Sequence, residues 1–268
     1  MGSQYNSENN QDVLNATLHN VRNLINLLKS IKFTDSTVLF ATDQGFKFTV
    51  EDGKCMQANA FLQKDLFDFY NITEEFIVKL PLKVLLHCLL IFGGTSSTVI
   101  KFVYEKDGFP LHIVLEEPGI STECSIRTFE PDDLLDFRFN GQDVINKVIM
   151  QSSKLKEVFL ELDATSESID ITMSPDEPYL RFATIGIAAS TDVSVPKNAS
   201  AVEVFQCTEV QTFSYKLSFF KRSVKALALA NRVSIRIDNR GFLSMQYLLK
   251  TDDDKTSFVE FYCAPNED

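Results

Sequence analysis

Four stretches of the chain carry apolar residues at helical spacing, and most of the rest alternates apolar and polar residues over short runs. The spacing predicts helices over Leu18–Ile31, Pro81–Phe92, Ser153–Leu162 and Ser218–Ala230. At about 100° per residue, Val21, Leu24, Leu28 and Ile31 share one side of the first helix, and Arg22, Asn26 and Lys29 share the other. In the fourth, Phe220, Leu227 and Ala230 oppose Ser218, Lys221 and Lys225. The second is apolar nearly all round, with Lys83 and His87 as its polar stripe. The third has Glu157 and Leu160 near the centre of its outward face, which leaves Lys154 and Lys156 at the margins. Pro81 suits a first helical position, and Ser152 or Ser153 an N-cap. Strands are read from short runs rich in Val, Ile, Thr and Phe. "LFATDQGFKFTVE" pairs two of them around Asp43-Gln44-Gly45, and "SIRIDNRGFLSMQYLL" two more around Asn239-Arg240-Gly241.

The pattern is written twice. "DVLNATL" (12–18) resembles "DVINKVI" (143–149), and "NLINLLKSI" (23–31) falls on "KLKEVFLEL" (154–162) at the same offset. Further on, "FIVKL" (76–80) matches "FSYKL" (213–217), and "DGFPLHIVLEE" (107–117) matches "RGFLSMQYLLK" (240–250). The matches keep their order at offsets close to half the chain, the sign of a duplicated domain. Each copy reads strand, helix, three strands, helix, three strands. The expected organisation is a loose tail over 1–11, one domain over 12–129, a connecting segment over 130–143 and a second domain over 144–268. That connector, "EPDDLLDFRFNGQD", carries Leu134, Leu135, Phe137 and Phe139. A segment so apolar packs along a surface.

Charge changes the picture. The net charge is −11, yet three of the four helical windows contain no acid. Residues 216–232 hold Lys216, Lys221, Arg222, Lys225 and Arg232, with no Asp or Glu. Windows around the four helices, 18–32, 79–94, 147–165 and 216–232, together carry +10, so the remainder carries −21. Ordinary solvated helices mix Glu with Lys, because such pairs are mutually stabilising. A helix face that gathers cations without neutralising them suits a phosphate backbone. The simpler alternative is that these residues only solvate the helices.

Other chemistry is sparse. Five scattered cysteines, with no CxxC, are expected to be reduced and mostly buried. No apolar run is long enough to span a membrane, and the polar start lacks the apolar segment of a signal peptide. His19, His87 and His112 are isolated, and neither GxxxxGK[ST] nor GxGxxG occurs. No cofactor or metal is expected.

Five stretches carry a family resemblance: "HNVRNLINLLKSIKF", "FATDQGFKFTVEDGKCMQANAFL", "ITMSPDEPYLRF", "VSIRIDNRGFLSMQY" and "FVEFYCAP". With the duplicated plan, they resemble the PCNA-like sliding DNA clamps, and within them the Rad-one branch of the nine-one-one checkpoint clamp, over residues 12–265. The resemblance implies an α+β DNA-clamp fold, with two helices per repeat packed on antiparallel sheets. It implies a nuclear, non-catalytic subunit of a heterotrimeric ring with Rad-nine and Hus-one type partners. A replication factor C-like loader would place the ring on double-stranded DNA and primer-template junctions, without sequence specificity, for checkpoint kinase signalling and repair enzymes. Carried over by position, Arg22, Lys29 and Lys225 match basic channel sites, and Lys83, Lys154, Lys156, Lys221 and Arg222 join them as expected DNA contacts. Glu157 and Leu160 depart from the basic pattern of the third helix. The connector takes the place of the loop beside which partner peptides dock, so Leu134, Leu135, Phe137 and Phe139 are either partner contacts or pins to the shell. Ser121, Glu123, Ser125 and Arg127, with Ser190, Asp192 and Ser194, fall on two edge strands (121–129 and 188–195) that would pair with neighbouring subunits. The rival reading is a metal-dependent 3′→5′ exonuclease. It calls for clustered carboxylates, and the acid-rich "EPDDLLD" and "TDDDK" read as linker and turn.

Overall fold

The computed structural model describes residues 12–131, 133–137, 139, 141, 143–250 and 256–267. The expected tail over 1–11, Asp132 and the acidic turn at 251–255 lie outside the described residues.

Both halves of the chain follow one element order. In the first, β1 (Leu14–Leu18) and α1 (Val21–Ser30) precede β2 (Ser36–Thr42), β3 (Gly45–Asp52), β4 (Met56–Gln63), β5 (Phe69–Ile72) and β6 (Phe76–Pro81). Then come α2 (Leu82–Leu89), β7 (Val99–Tyr104), β8 (Leu111–Glu117) and β9 (Ile120–Ile126). In the second, β10 (Val144–Gln151) and α3 (Ser152–Glu161) precede β11 (Ser168–Met173), β12 (Leu180–Ile185), β13 (Ser190–Val195), β14 (Val202–Cys207) and β15 (Gln211–Lys216). There follow α4 (Leu217–Leu229), β16 (Ala230–Asp238), β17 (Leu243–Lys250) and β18 (Thr256–Cys263). Five strands separate the helices of each half, not the three read from the sequence. The additional strands β5, β6, β14 and β15 have four to six residues each, and several of those residues are exposed. Runs that short and that wet give a weak apolar signal.

The helix boundaries also move. Leu18 belongs to β1, paired with Ile100 of β7, and Asn20 turns the chain at φ 63°, so α1 starts at Val21. Pro81 sits before α2 as its cap. Gln151 holds the cap position of α3, without a side-chain capping bond, because Ser152 is already helical. The buried Ser152 hydroxyl instead donates to the Ala230 carbonyl.

The chain divides into two compact units. The first comprises the described residues within 12–25, 35–48 and 62–131. It contains an antiparallel five-stranded sheet ordered β5-β1-β7-β8-β9, and the pair β2–β6. Helix α2 packs against β2, β6 and β9. Its core places Phe46 edge-on to Phe67 at 5.0 Å and to Phe102 at 5.3 Å.

The second unit comprises 26–34, 49–61 and 133–268. Within it the strands run β14-β10-β16-β17-β18-β4, all antiparallel, beside a separate sheet ordered β13-β12-β11-β15. Thus β14-β10-β16-β17-β18 repeats the order β5-β1-β7-β8-β9. Helices α3 and α4 pack together and onto β16. Phe220 of α4 is 2% exposed and lies edge-on to Phe159 of α3 at 5.4 Å. The Tyr247 hydroxyl bonds Ser223 Oγ at 2.9 Å, and Ser223 donates to the Phe220 carbonyl at 2.9 Å.

The turn read at Asn239-Arg240-Gly241 is built as expected. The fully buried Asp238 carboxylate accepts the Arg240 and Phe242 backbone N–H groups, both at 2.9 Å. Gly241 has φ 82°, and a Cβ there would meet the Phe213 ring at 2.5 Å, so glycine is required twice over. All five cysteines are free thiols, but only Cys263 is fully buried; the other four are half-buried. Burial pushes the Cys88 and Cys207 thiols up to about 11.

Phe220→Ala removes a ring from the meeting point of α3, α4 and the sheet. Urea unfolding should show a loss of about 3–5 kcal/mol. Lys225→Ala, exposed on the same helix, should stay within about 0.5 kcal/mol of the parent.

Candidate nucleic-acid interface and sheet edges

Helix α4 buries Leu217, Phe219, Phe220, Ser223, Ala226 and Leu227. That leaves Ser218, Lys221 and Lys225 exposed at three- and four-residue spacing. Lys221 Nζ donates to the Ala164 carbonyl, just beyond α3, at 3.0 Å. Arg222 differs. It is half-buried, in an ion pair with Asp52, and its guanidinium carbon lies 5.0 Å from the centre of the Phe33 ring. Arg232 falls on β16 and pairs with Glu203 at 2.9 Å. Two of the five cations in the acid-free window are therefore neutralised by carboxylates distant in sequence. The window itself gives no sign of those partners.

On α3, Leu155 and Val158 are buried, while Lys154, Lys156, Glu157 and Leu160 are exposed. Lys154 forms an ion pair with Glu157 three residues on. Lys156 is exposed and, among the described residues, has no salt-bridge partner. The second unit thus presents Lys156, Lys221 and Lys225 on two helices packed together.

Helix α2 buries Leu82, Leu85, Leu86 and Leu89 and exposes Lys83, Val84 and His87. Helix α1 buries Val21, Leu24, Ile25, Leu27 and Leu28, and exposes Arg22 and Lys29 with Asn23 and Asn26 half-buried between them. Their outward sides bear no carboxylate.

The connector is pinned to the second unit's sheet. The Leu135 N–H donates to Glu51 Oε1 at 2.8 Å, and Gln57 Nε2 donates to the Leu135 carbonyl at 2.9 Å. Phe137 is 8% exposed, stacked on Tyr262 with centroids 6.0 Å apart and edge-on to Phe242 at 5.6 Å. Phe139 lies 5.5 Å from Tyr262, with the Arg236 guanidinium 5.3 Å from its centre. Leu134 and Leu135 remain half-buried.

Strand β9 terminates the first unit's five-stranded sheet, and β13 terminates the second unit's four-stranded sheet. Ser121, Glu123 and Ser125 project outward from β9, and Arg127 is exposed just past its end. Glu123 and Ser125 both contact Nδ1 of His112, at 3.2 and 3.0 Å. Two partners on one ring nitrogen cannot form a relay through the imidazole, so this Ser/His/Glu group lacks the geometry of a nucleophilic triad. Ser190, Asp192 and Ser194 are exposed on β13, and hydrogen bonding to Arg181 holds the Asp192 carboxyl below its ordinary range.

Exposed apolar residues flank both edges, and of these the sequence pointed only to Leu160. Near β13, Leu160 is 74%, Ile185 77% and Ile187 93% exposed; Ile120, at the start of β9, is 55% exposed. The β12–β13 turn is held against the end of α3, where the Ile187 N–H donates to Thr165 Oγ1 at 3.1 Å. Leu160 had the look of a defect in a basic helix. In the fold it lies on the last turn of α3, the helix that packs against β13. Among the described residues, no three His, Cys, Asp or Glu side chains are placed to hold a metal ion.

Comparisons with known proteins agree on one family. Residues 13–249 match the family Rad1, described as Repair protein Rad1/Rec1/Rad17. The chain is 47% identical over 270 residues to the cell cycle checkpoint protein RAD1 of Homo sapiens, spanning 99% of this chain and 96% of that one. It is also 47% identical to the Mus musculus protein of that name over 272 residues, 99% and 97% of the two chains. The Caenorhabditis elegans cell cycle checkpoint protein RAD1 homolog mrt-2 is 30% identical over 251 residues, 93% of each chain. With its α+β architecture of antiparallel sheets, the PCNA-like clamp fold, the chain belongs to the Rad1 family.

Proposed function

We propose that the chain is a non-catalytic subunit of a ring-shaped clamp that encircles double-stranded DNA at damage sites. Its two repeats, over 12–129 and 144–268, act as clamp domains, and two further clamp subunits of the Rad-nine and Hus-one type close the ring. The relatives' names, cell cycle checkpoint proteins, support the damage-response role and hence a nuclear location.

One observation carries the ring. Inside the chain, β18 pairs antiparallel with β4, from Phe258↔Phe61 to Cys263↔Met56. By element order, β9 is the first-half counterpart of β18, and β13 is the second-half counterpart of β4. Those two counterparts end their sheets. Repeating the internal β18–β4 contact between chains therefore joins β9 of one subunit to a β13-type strand of the next. Such a contact is head-to-tail, and a head-to-tail contact closes into a ring when its rotation allows. The apolar residues beside each edge supply area to bury.

Exposed lysines on the helices would face the phosphate backbone. Contacts to phosphate position a protein without reading bases, so the ring holds primer-template junctions and duplex alike. A replication factor C-like loader opens and closes it, and checkpoint kinases and repair enzymes act from it.

Mixed with its two partner subunits, the chain should form a 1:1:1 complex by native mass spectrometry. Ile185→Glu/Ile187→Glu should weaken that complex at least tenfold with unchanged melting temperature; assembly at parent affinity would remove β13 from the ring contact.

Lys221→Glu/Lys225→Glu should leave ring assembly intact. It should lower retention on closed-circular DNA at least tenfold and flatten the salt slope by about 2. A double variant that loads and signals like the parent would remove the channel assignment. With Mg²⁺ or Mn²⁺, the purified chain should leave labelled 3′ ends intact. Degradation that stops in Asp132→Ala/Asp133→Ala would put an exonuclease in place of the clamp.

A further inference from the structure

Two of the five thiols meet. Cys88 lies on α2 and Cys124 on β9, and these elements pack together within the first unit. Exposure alternates along β9: Ser121, Glu123 and Ser125 are exposed, whereas Thr122 and Cys124 are half-buried and Ile126 is buried. Cys124 therefore stands on the inner face of the strand, opposite the buried Ile113 of β8. On α2, Cys88 lies at the margin of the buried face formed by Leu82, Leu85, Leu86 and Leu89. The Cys88 thiol and the Cys124 side chain are hydrogen-bonded to each other.

Neither sulfur is sealed in the core. Both residues are half-buried. Val84, one turn before Cys88, and Ile91, just past the helix, are each 46% exposed. The other thiols are placed differently. Cys55 lies beside Cys263, where its carbonyl accepts the Ala264 N–H at 2.9 Å, but Cys263 is fully buried and closed to a reagent. Cys207 is on β14, bonded to the Lys147 backbone.

We propose that Cys88 and Cys124 form an oxidisable dithiol, a modification site that a hydroperoxide closes into a disulfide between α2 and β9. Burial first, and then the bond to Cys124, push the Cys88 thiol up to about 11, so it stays protonated at neutral pH. That leaves the first attack to Cys124. Its thiolate attacks the terminal peroxide oxygen, the O–O bond breaks, and an alcohol or water leaves after taking up a proton. The product is a sulfenic acid at Cys124. The Cys88 sulfur then releases its proton and attacks the sulfenic sulfur. The S–S bond forms, the S–O bond breaks, and hydroxide leaves with that proton as water. Two thiols are oxidised by two electrons, and one peroxide bond is reduced. The second step is intramolecular between groups already in contact, which favours it over further oxidation. The sulfurs need only close to about 2.05 Å. In a reducing compartment such a bond is transient and redox-sensing. The site is independent of the ring, because it uses the inner face of β9 and leaves the strand's backbone edge open.

The test treats the full chain with tert-butyl hydroperoxide, blocks the remaining thiols with N-ethylmaleimide and maps tryptic peptides without reduction. Cleavage after Lys83, Lys101, Lys106 and Arg127 leaves Cys88 in 84–101 and Cys124 in 107–127. Those two peptides should be found linked, and dithiothreitol should separate them. Their linkage should form at least tenfold faster than Cys207 or Cys263 is oxidised. With dimedone present, Cys88→Ser should trap at least tenfold more sulfenic acid at Cys124 than the parent does, because the resolving thiol is gone. Separate oxidation of the two cysteines without a link overturns the proposal. Linkage to another cysteine or to a second chain does so too, as does equal trapping in variant and parent. The mapping uses the unaltered chain, so it decides the question even if Cys88→Ser does not fold.

Discussion

The backbone pairing of edge strands organises this molecule. A strand at the end of a sheet presents a row of unsatisfied N–H and C=O groups, and proteins cover, blunt or use such rows. Here the duplicated chain meets the problem twice in each half. It solves one pair of edges internally, by joining β18 to β4, and leaves the equivalent pair, β9 and β13, at the ends of their sheets. The exposed isoleucines beside those strands follow from the same arrangement.

A second constraint is electrostatic. The acidic excess of the chain does not simply avoid the basic helices; folding brings selected carboxylates to selected cations. Asp52 reaches Arg222 across 170 residues of sequence, and Glu203 reaches Arg232. Arg236 pairs with Glu260, which is only 8% exposed and also accepts a bond from Ser244 Oγ at 2.8 Å. These pairs lock strands and helices together. The lysines of α4 are left to solvent or to a backbone carbonyl.

Much of the architecture was legible because it rests on local chemistry. The four helices, the duplicated plan and the glycine-dependent turns follow from spacing and from residues that only certain backbone conformations accept. The two edge strands were placed by the family resemblance, not by any local signal. What sequence reading lost was whatever depends on distant partners or on short runs. Strands β5 and β14 were missed because four to six residues with a wet face look like loop. Arg222 was grouped with Lys221 and Lys225 because helical angle is visible in sequence, and Asp52 and Phe33 are not. Leu160 read as an exception in a basic helix, and the fold leaves it 74% exposed on a helix that packs against β13.

The division of labour between the two basic residue types has a consequence for motion. Arg181, Arg222, Arg232, Arg236 and Arg240 all have carboxylate partners within the fold. On the packed helices α3 and α4 the exposed cations are lysines, whereas α1 exposes Arg22 as well as Lys29. A guanidinium is a rigid fork that locks onto an oxyanion, whereas an ammonium is a compact, strongly hydrated charge on a flexible stem. Ammonium groups on the paired helices α3 and α4 can therefore exchange counter-ions freely, whereas the guanidiniums stay where folding locks them.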